Sequence, residues 1–297
     1  MGSFDEAMIV SRFAPAPTGF LHLGHVVNAI YVWGLTQARG GRVLLRIEDH
    51  DRQRCRPEFE QAILEDLDWL GFVPDDPPAS AFRSGPCRSR QSDRDDVYEA
   101  ALARLRAADL LYACECSRSE IAAVSSGGEL RYPGTCATKQ LAERPGRGLR
   151  VRLNRSTERF HDLRHGTLDQ RPFEQCGDLL VRDRDGNWTY QFAVVVDDAE
   201  QGVNLVIRGD DLLASTGRQI QLARVLGRIE PPQFFHHALV MKTPTQKLSK
   251  ADAATSVRDL RAAGWTPDAV IGRAAALAGL VNSPRAASAG DVIGLLK

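Results

Sequence analysis

The 297-residue chain is 43% hydrophobic and 26% charged, and its 38 basic and 38 acidic side chains leave a formal charge of zero. That is an ordinary globular composition with room for one or two cores, and the balanced charge argues against nucleic-acid binding by the molecule as a whole. No apolar run approaches the ~20 residues of a membrane span, and Asp5 and Glu6 stand where a signal peptide would carry basic residues, so a cytoplasmic protein is expected.

Met8-Ile9-Val10 reads as a strand, and Pro15-Ala16-Pro17-Thr18-Gly19 as a tight loop opening a helical pattern from Val26 to Ala38. Arg42-Val43-Leu44-Leu45-Arg46-Ile47-Glu48-Asp49 reads as a buried strand ending in carboxylates, the position of active-site groups in doubly wound sheets. Pro57 starts a helix carrying Phe59, Ile63, Leu67 and Leu70, which Gly71 stops. Residues 74 to 92 form a connecting loop, followed by a helix over Val97 to Leu111. Leu179 to Val181 and Trp188 to Val196 flank Asp185-Gly186, a hairpin signal. Val203 to Ile207 reads as a strand running into Arg208-Gly209-Asp210-Asp211, with Ser215 and Thr216 as caps for a helix through Leu226. Two last helices are expected around Pro267 to Leu280 and Gly290 to Leu296. Alternating strands and helices imply an α/β fold with a parallel sheet. The division drawn from these patterns is 1–92 and 178–240 as two halves of one α/β domain, 93–177 as an insertion, and 241–297 as a loop with terminal helices.

Two short motifs carry the chemistry. His22-Leu23-Gly24-His25 opens the first helix, where backbone N–H groups and the positive end of the helix dipole favour phosphates. His22 and His25, spaced i and i+3, can face one ligand. Lys247-Leu248-Ser249-Lys250 has the same spacing, so that both ammonium groups could reach one polyphosphate. The plainer readings are capping or core histidines and a solvated lysine face.

Cys114-Glu115-Cys116 and Tyr132-Pro133-Gly134-Thr135-Cys136 place three of the six cysteines within 23 residues. Such density suits a tetrahedral zinc site, although C-x-C is tighter than usual and spacing leaves the fourth ligand open; three free thiols in a reducing compartment are the alternative. A metal held there would be structural, folding a segment with little core of its own. The arginine-rich stretches Arg83 to Arg94 and Arg144 to Arg155 are candidate local faces for RNA, or solvated loops.

Arg12-Phe13-Ala14-Pro15-Ala16-Pro17-Thr18-Gly19, His22-Leu23-Gly24-His25, Arg46-Ile47-Glu48-Asp49, Arg208-Gly209-Asp210-Asp211 and Lys247-Leu248-Ser249-Lys250, taken in this order, resemble the class I glutamyl-tRNA synthetases. The resemblance runs from about residue 8 to the Lys250 loop. It implies a Rossmann-like, doubly wound parallel sheet split by an α/β insertion with a zinc site, and a short helical tail. The chain ends 47 residues after Lys250, where ordinary members continue into an anticodon-gripping helical region. That implies a short member, which attaches glutamate to the queuosine base in the anticodon loop of tRNA(Asp). Ala251, Leu248 and Ala16 depart from the family's commoner residues, and none removes a charged group.

The resemblance also implies roles. His22, His25, Lys247 and Lys250 would be catalytic, with His22, His25 and Lys250 on ATP, and Mg²⁺ as the nucleotide's charge partner. Arg12, Phe13, Ala14, Pro15, Ala16, Glu48, Tyr190 and Arg208 would hold L-glutamate. Charge agrees: Glu48 suits the ammonium, and Arg12 and Arg208 suit carboxylates through their planar forks. The plainer readings are an ion pair of Arg208 with Asp210 or Asp211, and a core aromatic for Tyr190. Cys114, Cys116, Tyr132 and Cys136 would bind one structural Zn²⁺, and the protein would act as a monomer. Competing readings are a truncated enzyme charging the 3′ end of tRNA(Glu), a silent RNA- or zinc-binding module, and a small nucleotidyltransferase. Intact His22, His25, Glu48 and Lys250 argue against the silent module.

Overall fold

The protein is described by a computed structural model covering residues 8–125, 130–243, 246–247 and 256–297. In the first half, β1 (Val10–Phe13) leads through the Pro-rich loop into α1 (Leu23–Gln37), and β2 (Arg42–Leu45) pairs in parallel with β1 from Val10 opposite Arg42 to Phe13 opposite Leu45. The carboxylate-bearing strand expected to reach Asp49 ends four residues earlier as regular structure. Its backbone continues as single contacts, with Arg46 N–H on the Phe13 carbonyl and Ile47 N–H on the Ser89 carbonyl. α2 (Pro57–Leu70) carries Pro at its first turn and is stopped by Gly71 at φ 79°, a left-handed conformation that glycine adopts without strain. A short α3 (Ala79–Arg83) follows.

α4 (Asp95–Ala107) ends before Leu111, because Asp109 is left-handed (φ 54°) and turns the chain into β3 (Leu111–Cys114). Then come α5 (Arg118–Val124), β4 (Gly148–Val151), β5 (Glu158–Asp162), β6 (Gly166–Gln170), α6 (Pro172–Cys176) and β7 (Leu179–Arg182). The expected hairpin is half right. Gly186 makes its turn at φ 88° and Trp188 bridges back to Arg182, but Thr189 then caps α7 (Tyr190–Glu200), so Trp188 to Val196 is not a strand. Phe192 to Val196 is one continuous buried apolar run, which periodicity alone cannot divide between helix and strand.

β8 (Leu205–Gly209) leads through a 3₁₀ turn over Asp210–Ser215 into α8 (Thr216–Val225). Ser215 makes no side-chain cap, since the 3₁₀ turn already feeds the helix. β9 (Gln233–His237), β10 (Met241–Thr243), β11 (Gln246–Lys247), α9 (Val257–Ala262), α10 (Pro267–Leu277) and α11 (Val292–Leu295) complete the order.

The result is a mixed α/β fold with parallel pairings. β8 and β9 run parallel, β5 joins β9 in parallel, and β6 closes the edge antiparallel, in the order β6-β5-β9-β8. β1 lies against the start of β8, where Asn204 N–H donates to the Val10 carbonyl at 3.0 Å. A separate antiparallel sheet runs β3-β4-β7. These pairings cross the boundary drawn at 177: β7 joins the sheet of the insertion, while β5 and β6, placed within 93–177, join β8 and β9. Pairing between distant strands leaves no local periodicity to read. The main core surrounds α1, where Trp33 packs between Phe13 at 5.5 Å and Phe72 at 5.0 Å. Among the described residues no helix is long and apolar enough to cross a membrane.

Candidate functional site

α1 starts at the N-cap His22, whose backbone is extended. His22 Nδ1 accepts the Gly24 N–H at 3.1 Å, and His25 Nδ1 accepts the His22 N–H at 3.0 Å, so the two side chains satisfy the helix start reciprocally. With both Nδ1 atoms accepting, a neutral ring carries its proton on Nε2. A Cβ on Gly24 would stand 2.9 Å from His22 Cε1, so a larger residue there would push the His22 ring from its capping position. No acidic residue occupies the first turn, and the positive helix end remains suited to an anion. The histidines that cap the helix, as in the plainer reading, both also line a cavity of about 610 Å³.

Arg12, Ala14, Ala16, Glu48, Tyr190 and Arg208 line the same cavity, bringing together residues expected to hold the amino acid. Phe13 and Pro15 do not. Strand alternation turns Phe13 into the core, and Pro15 supplies its carbonyl to the Glu48 N–H at 3.0 Å. Lys247 enters through its backbone, paired with Met241 across β10 and β11; Leu248, Ser249 and Lys250 lie outside the described residues. Ser256, six residues after Lys250 in sequence, bridges His22, and Val257 N–H donates to the Leu21 carbonyl at 2.8 Å. The chain that follows the second motif therefore returns to the first.

The charges beneath the cavity form a closed group. Arg12 Nε and Arg46 Nη1 both donate to Asp198 Oδ1, at 3.1 and 2.8 Å, and Arg46 Nη2 donates to Glu48 Oε1 at 2.9 Å. One carboxylate thereby holds Arg12 directly and Glu48 through Arg46. Behind it, Asp197 accepts from Arg94 Nε and Gln91 Nε2 at 2.8 Å and from the Tyr98 hydroxyl at 2.9 Å. Arg12, Arg46 and Arg94 face Glu48, Asp197 and Asp198, three charges of each sign. Burial acts to raise the Asp198 carboxyl, but Arg12 and Arg46 outweigh it and hold the group below the usual carboxylate range.

Arg208 stands apart from that balance. Its Nε donates to His236 Nε2 at 3.0 Å, its Nη1 to Gln219 Oε1 at 2.6 Å and its Nη2 to Thr216 Oγ1 at 2.8 Å. All three acceptors are neutral, and no carboxylate among the described residues pairs with it. The alternative pairing with Asp210 is not seen: Asp210 takes Arg164 at 2.7 Å and His165 at 2.8 Å. Burial lowers the Arg208 pKa from its ordinary value and raises that of the Tyr190 phenol beside it.

The sulphurs of Cys114, Cys116 and Cys136 all lie within 4.8 Å of one another, with Cys116 and Cys136 3.6 Å apart. The Tyr132 hydroxyl is 3.4 Å from Cys114 Sγ and accepts the Cys136 N–H at 2.8 Å, so the four expected ligands converge. Arg150 donates Nε to Cys114 Sγ at 3.3 Å and lies 3.6 Å over the Tyr132 ring. The candidate RNA stretch Arg83 to Arg94 is largely ion-paired within the protein, as Arg83 with Asp68, Arg88 with Asp96 and Arg90 with Glu60.

Sequence reasoning missed Asp197, Asp198, Asp162, Gln219 and His236. Asp197 and Asp198 close the apolar run Phe192 to Val196, and assigning that run to a helix would have placed them on a buried face beside Arg46. Adjacent His236 and His237 after Phe234-Phe235 were a visible but unspecific signal.

Residues 8–283 match the family model described as tRNA synthetases class I (E and Q), catalytic domain. The chain is 42% identical over 291 residues to a glutamyl-Q tRNA(Asp) synthetase of Symbiobacterium thermophilum, covering 93% of this chain and 88% of that one. It is 44% identical over 258 residues to that of Ralstonia nicotianae, covering 83% and 78%. The crystal structure of a glutamate tRNA ligase from Elizabethkingia meningosepticum, in complex with its amino acid, superposes with a TM-score of 0.78 at 27% identity. The match covers 96% of this chain and 64% of that one.

Proposed function

The chain belongs to the class I tRNA synthetases of the glutamate and glutamine type, and from that premise we propose that it activates L-glutamate with ATP and transfers the glutamyl group to queuosine in the anticodon loop of tRNA(Asp). The observation that carries the first step is the shared cavity, where the histidines at the α1 N-terminus meet Glu48, Arg12 and Arg208. The acceptor is supported by the names of relatives that this chain matches over 78–88% of their length.

Activation needs no protein nucleophile. An oxygen of the glutamate α-carboxylate bonds to the α-phosphorus of ATP, the bond from that phosphorus to the bridging oxygen breaks, and pyrophosphate leaves with the electron pair. Catalysis is then positioning and charge stabilisation. His22 and His25 present Nε2–H groups at the helix start, and Lys250, aided by Lys247, neutralises charge on the departing pyrophosphate. Glu48 takes the substrate ammonium, and Arg12 and Arg208 take its carboxylates. Tyr190 closes the amino-acid side. Mg²⁺ would offset triphosphate charge.

Cys114, Cys116, Tyr132 and Cys136 would hold one Zn²⁺. Tetrahedral bonds of about 2.3 Å place sulphurs ~3.8 Å apart, close to the 3.6 Å between Cys116 and Cys136, and thiolate-rich donors suit zinc. The ion would cross-link the segment and fold it.

The test is to offer labelled glutamate and ATP with tRNA(Asp) containing queuosine, tRNA(Asp) lacking it, and tRNA(Glu). Label on the first alone is expected. Label on tRNA(Glu) alone would overturn the acceptor in favour of a truncated synthetase, and absence of glutamate-dependent ATP–pyrophosphate exchange would overturn the activation step.

A further inference from the structure

Arg208 is fully enclosed, yet its contacts in the protein are all neutral, and the group that sets its Nε direction is a histidine held by a second acid. His236 lies in β9 opposite Arg208 in β8 and is completely buried. Its Nδ1 lies 2.7 Å from Asp162 Oδ2, which also accepts the His236 N–H at 3.1 Å. Asp162 Oδ1 accepts the N–H groups of Arg164 and His165, both at 2.9 Å. Four donors thus surround the carboxylate, so Nδ1 carries the ring proton and Nε2 is left to accept. That Nε2 takes Arg208 Nε–H at 3.0 Å, with the Thr216 hydroxyl 3.2 Å away.

We propose that Asp162 and His236 form a positioning pair that orients the Arg208 guanidinium through a neutral acceptor, so that its charge stays available to a carboxylate of the bound amino acid. The inference rests on Arg208 being a glutamate contact, as proposed above. Its physical content is the neutrality of the acceptor. A carboxylate at the Nε2 position would orient the guanidinium equally well but would pair with it, weakening its pull on a second anion. Imidazole orients without neutralising. The guanidinium has five N–H groups, and three are taken by His236, Gln219 and Thr216. The others are shared between the Tyr190 hydroxyl, which also hydrogen-bonds the guanidinium, and an anion entering the cavity that both residues line.

The charged groups around the ring agree with a neutral imidazole. Burial and Arg208 from β8 push its pKa down, while Asp162 from β5 and Asp210 from the 3₁₀ turn push it up, and the result is about 4. Arg164 adds a contact to the His236 carbonyl at 3.2 Å, and α8 contributes only Thr216 and Gln219, both uncharged.

Two substitutions separate positioning from mere structure, because glutamine places its amide oxygen near Nε2 and asparagine places its amide nitrogen near Nδ1. His236→Gln keeps an acceptor for Arg208 and drops the Asp162 bond; His236→Asn keeps that bond and leaves Arg208 Nε without its acceptor. In glutamate-dependent ATP–pyrophosphate exchange, His236→Asn is expected to raise the glutamate KM roughly tenfold to a hundredfold, as for loss of one hydrogen bond to a charged group. The ATP KM should stay within about twofold. His236→Gln should stay within a few-fold of the parent for both. Equal losses in the two variants, or a greater loss with Gln, would overturn the pair's assigned role. The pH profile gives a second reading: the parent's glutamate KM should show no rise that depends on His236 as pH falls from 8 to 5. A tenfold rise through pH 6.5 that His236→Gln abolishes would mean that the acceptor protonates, and would overturn the proposal. Arg208→Ala is the control for the underlying reading. An unchanged glutamate KM there refutes the contact itself, whereas a large rise there with no effect of His236→Asn refutes only the positioning pair.

Discussion

Cys114, Cys116, Tyr132 and Cys136 come from 23 consecutive residues at one end of β3. The charges under the cavity come from β1, the end of β2 and the end of α7, with Arg12 and Asp198 separated by 186 positions and Arg46 and Asp198 by 152. The first cluster is assembled by a short loop and needs only its own segment. The second exists only when the α/β domain has closed, because Asp198 near the end of α7 must meet Arg12 and Arg46, which lie 186 and 152 positions earlier. Damage to the first should therefore stay local, and damage to the second should spread.

The largest expected effect is at the hub of the second cluster. Asp198→Ala leaves Arg12 and Arg46 sharing a buried site without the carboxylate that both contact, and removing one partner from a buried ion group typically costs about 3–5 kcal/mol. Glutamate activation should fall by more than the folded fraction does, since Arg12 and Glu48 both lose their common reference. Urea denaturation and pyrophosphate exchange on the same preparation check this. A loss below about 1 kcal/mol, with exchange retained, would show that the group is not held through Asp198.

The converse applies at the cysteines. Elemental analysis should find one zinc per chain, and stripping it with a chelator should open the segment around residues 114–136 to protease while glutamate-dependent exchange stays within a few-fold. No metal, with Cys114, Cys116 and Cys136 all titratable as thiols, removes the site. Exchange that collapses in step with proteolysis would break the contrast between the two regions.

The same contrast explains what could be read beforehand. His22-Leu23-Gly24-His25, the Pro57 helix start, the Gly71 stop and the cysteine cluster are local, and their geometry follows from short-range rules of capping, left-handed glycine and ligand spacing. Arg12, Glu48 and Arg208 were legible because they sit in extended motifs whose order is distinctive. Asp198 and His236 were not, since each acquires its role from a partner distant in sequence. The misassigned stretch Trp188 to Val196 shows the mechanism of the failure: five consecutive apolar residues satisfy either a helix or a buried strand, and only the tertiary setting decides between them.

Asp66 in α2 supplies the smallest expected effect and a reference for the largest. Like Asp198 it is a buried carboxylate, but its Oδ2 has no hydrogen-bonding partner among the described residues, and Arg261 and Arg258 act on it only at a distance. Burial pushes its pKa up to about 7. The sign follows from that direction. In the unfolded chain the group ionises near pH 3.9, whereas in the folded one it resists ionisation until about pH 7, so its unfavourable contribution grows as pH rises between those values and is constant above them. Asp66→Asn, which keeps the shape of the neutral acid, is therefore expected to stabilise the protein by roughly 1–2 kcal/mol at pH 8, and the gain should vanish as pH falls toward 4. Thermal melts of parent and variant across that range measure it. A destabilisation at pH 8 would mean that Arg258 and Arg261 compensate Asp66 as closely as Arg12 and Arg46 compensate Asp198, and that the two sites share pairing as well as burial.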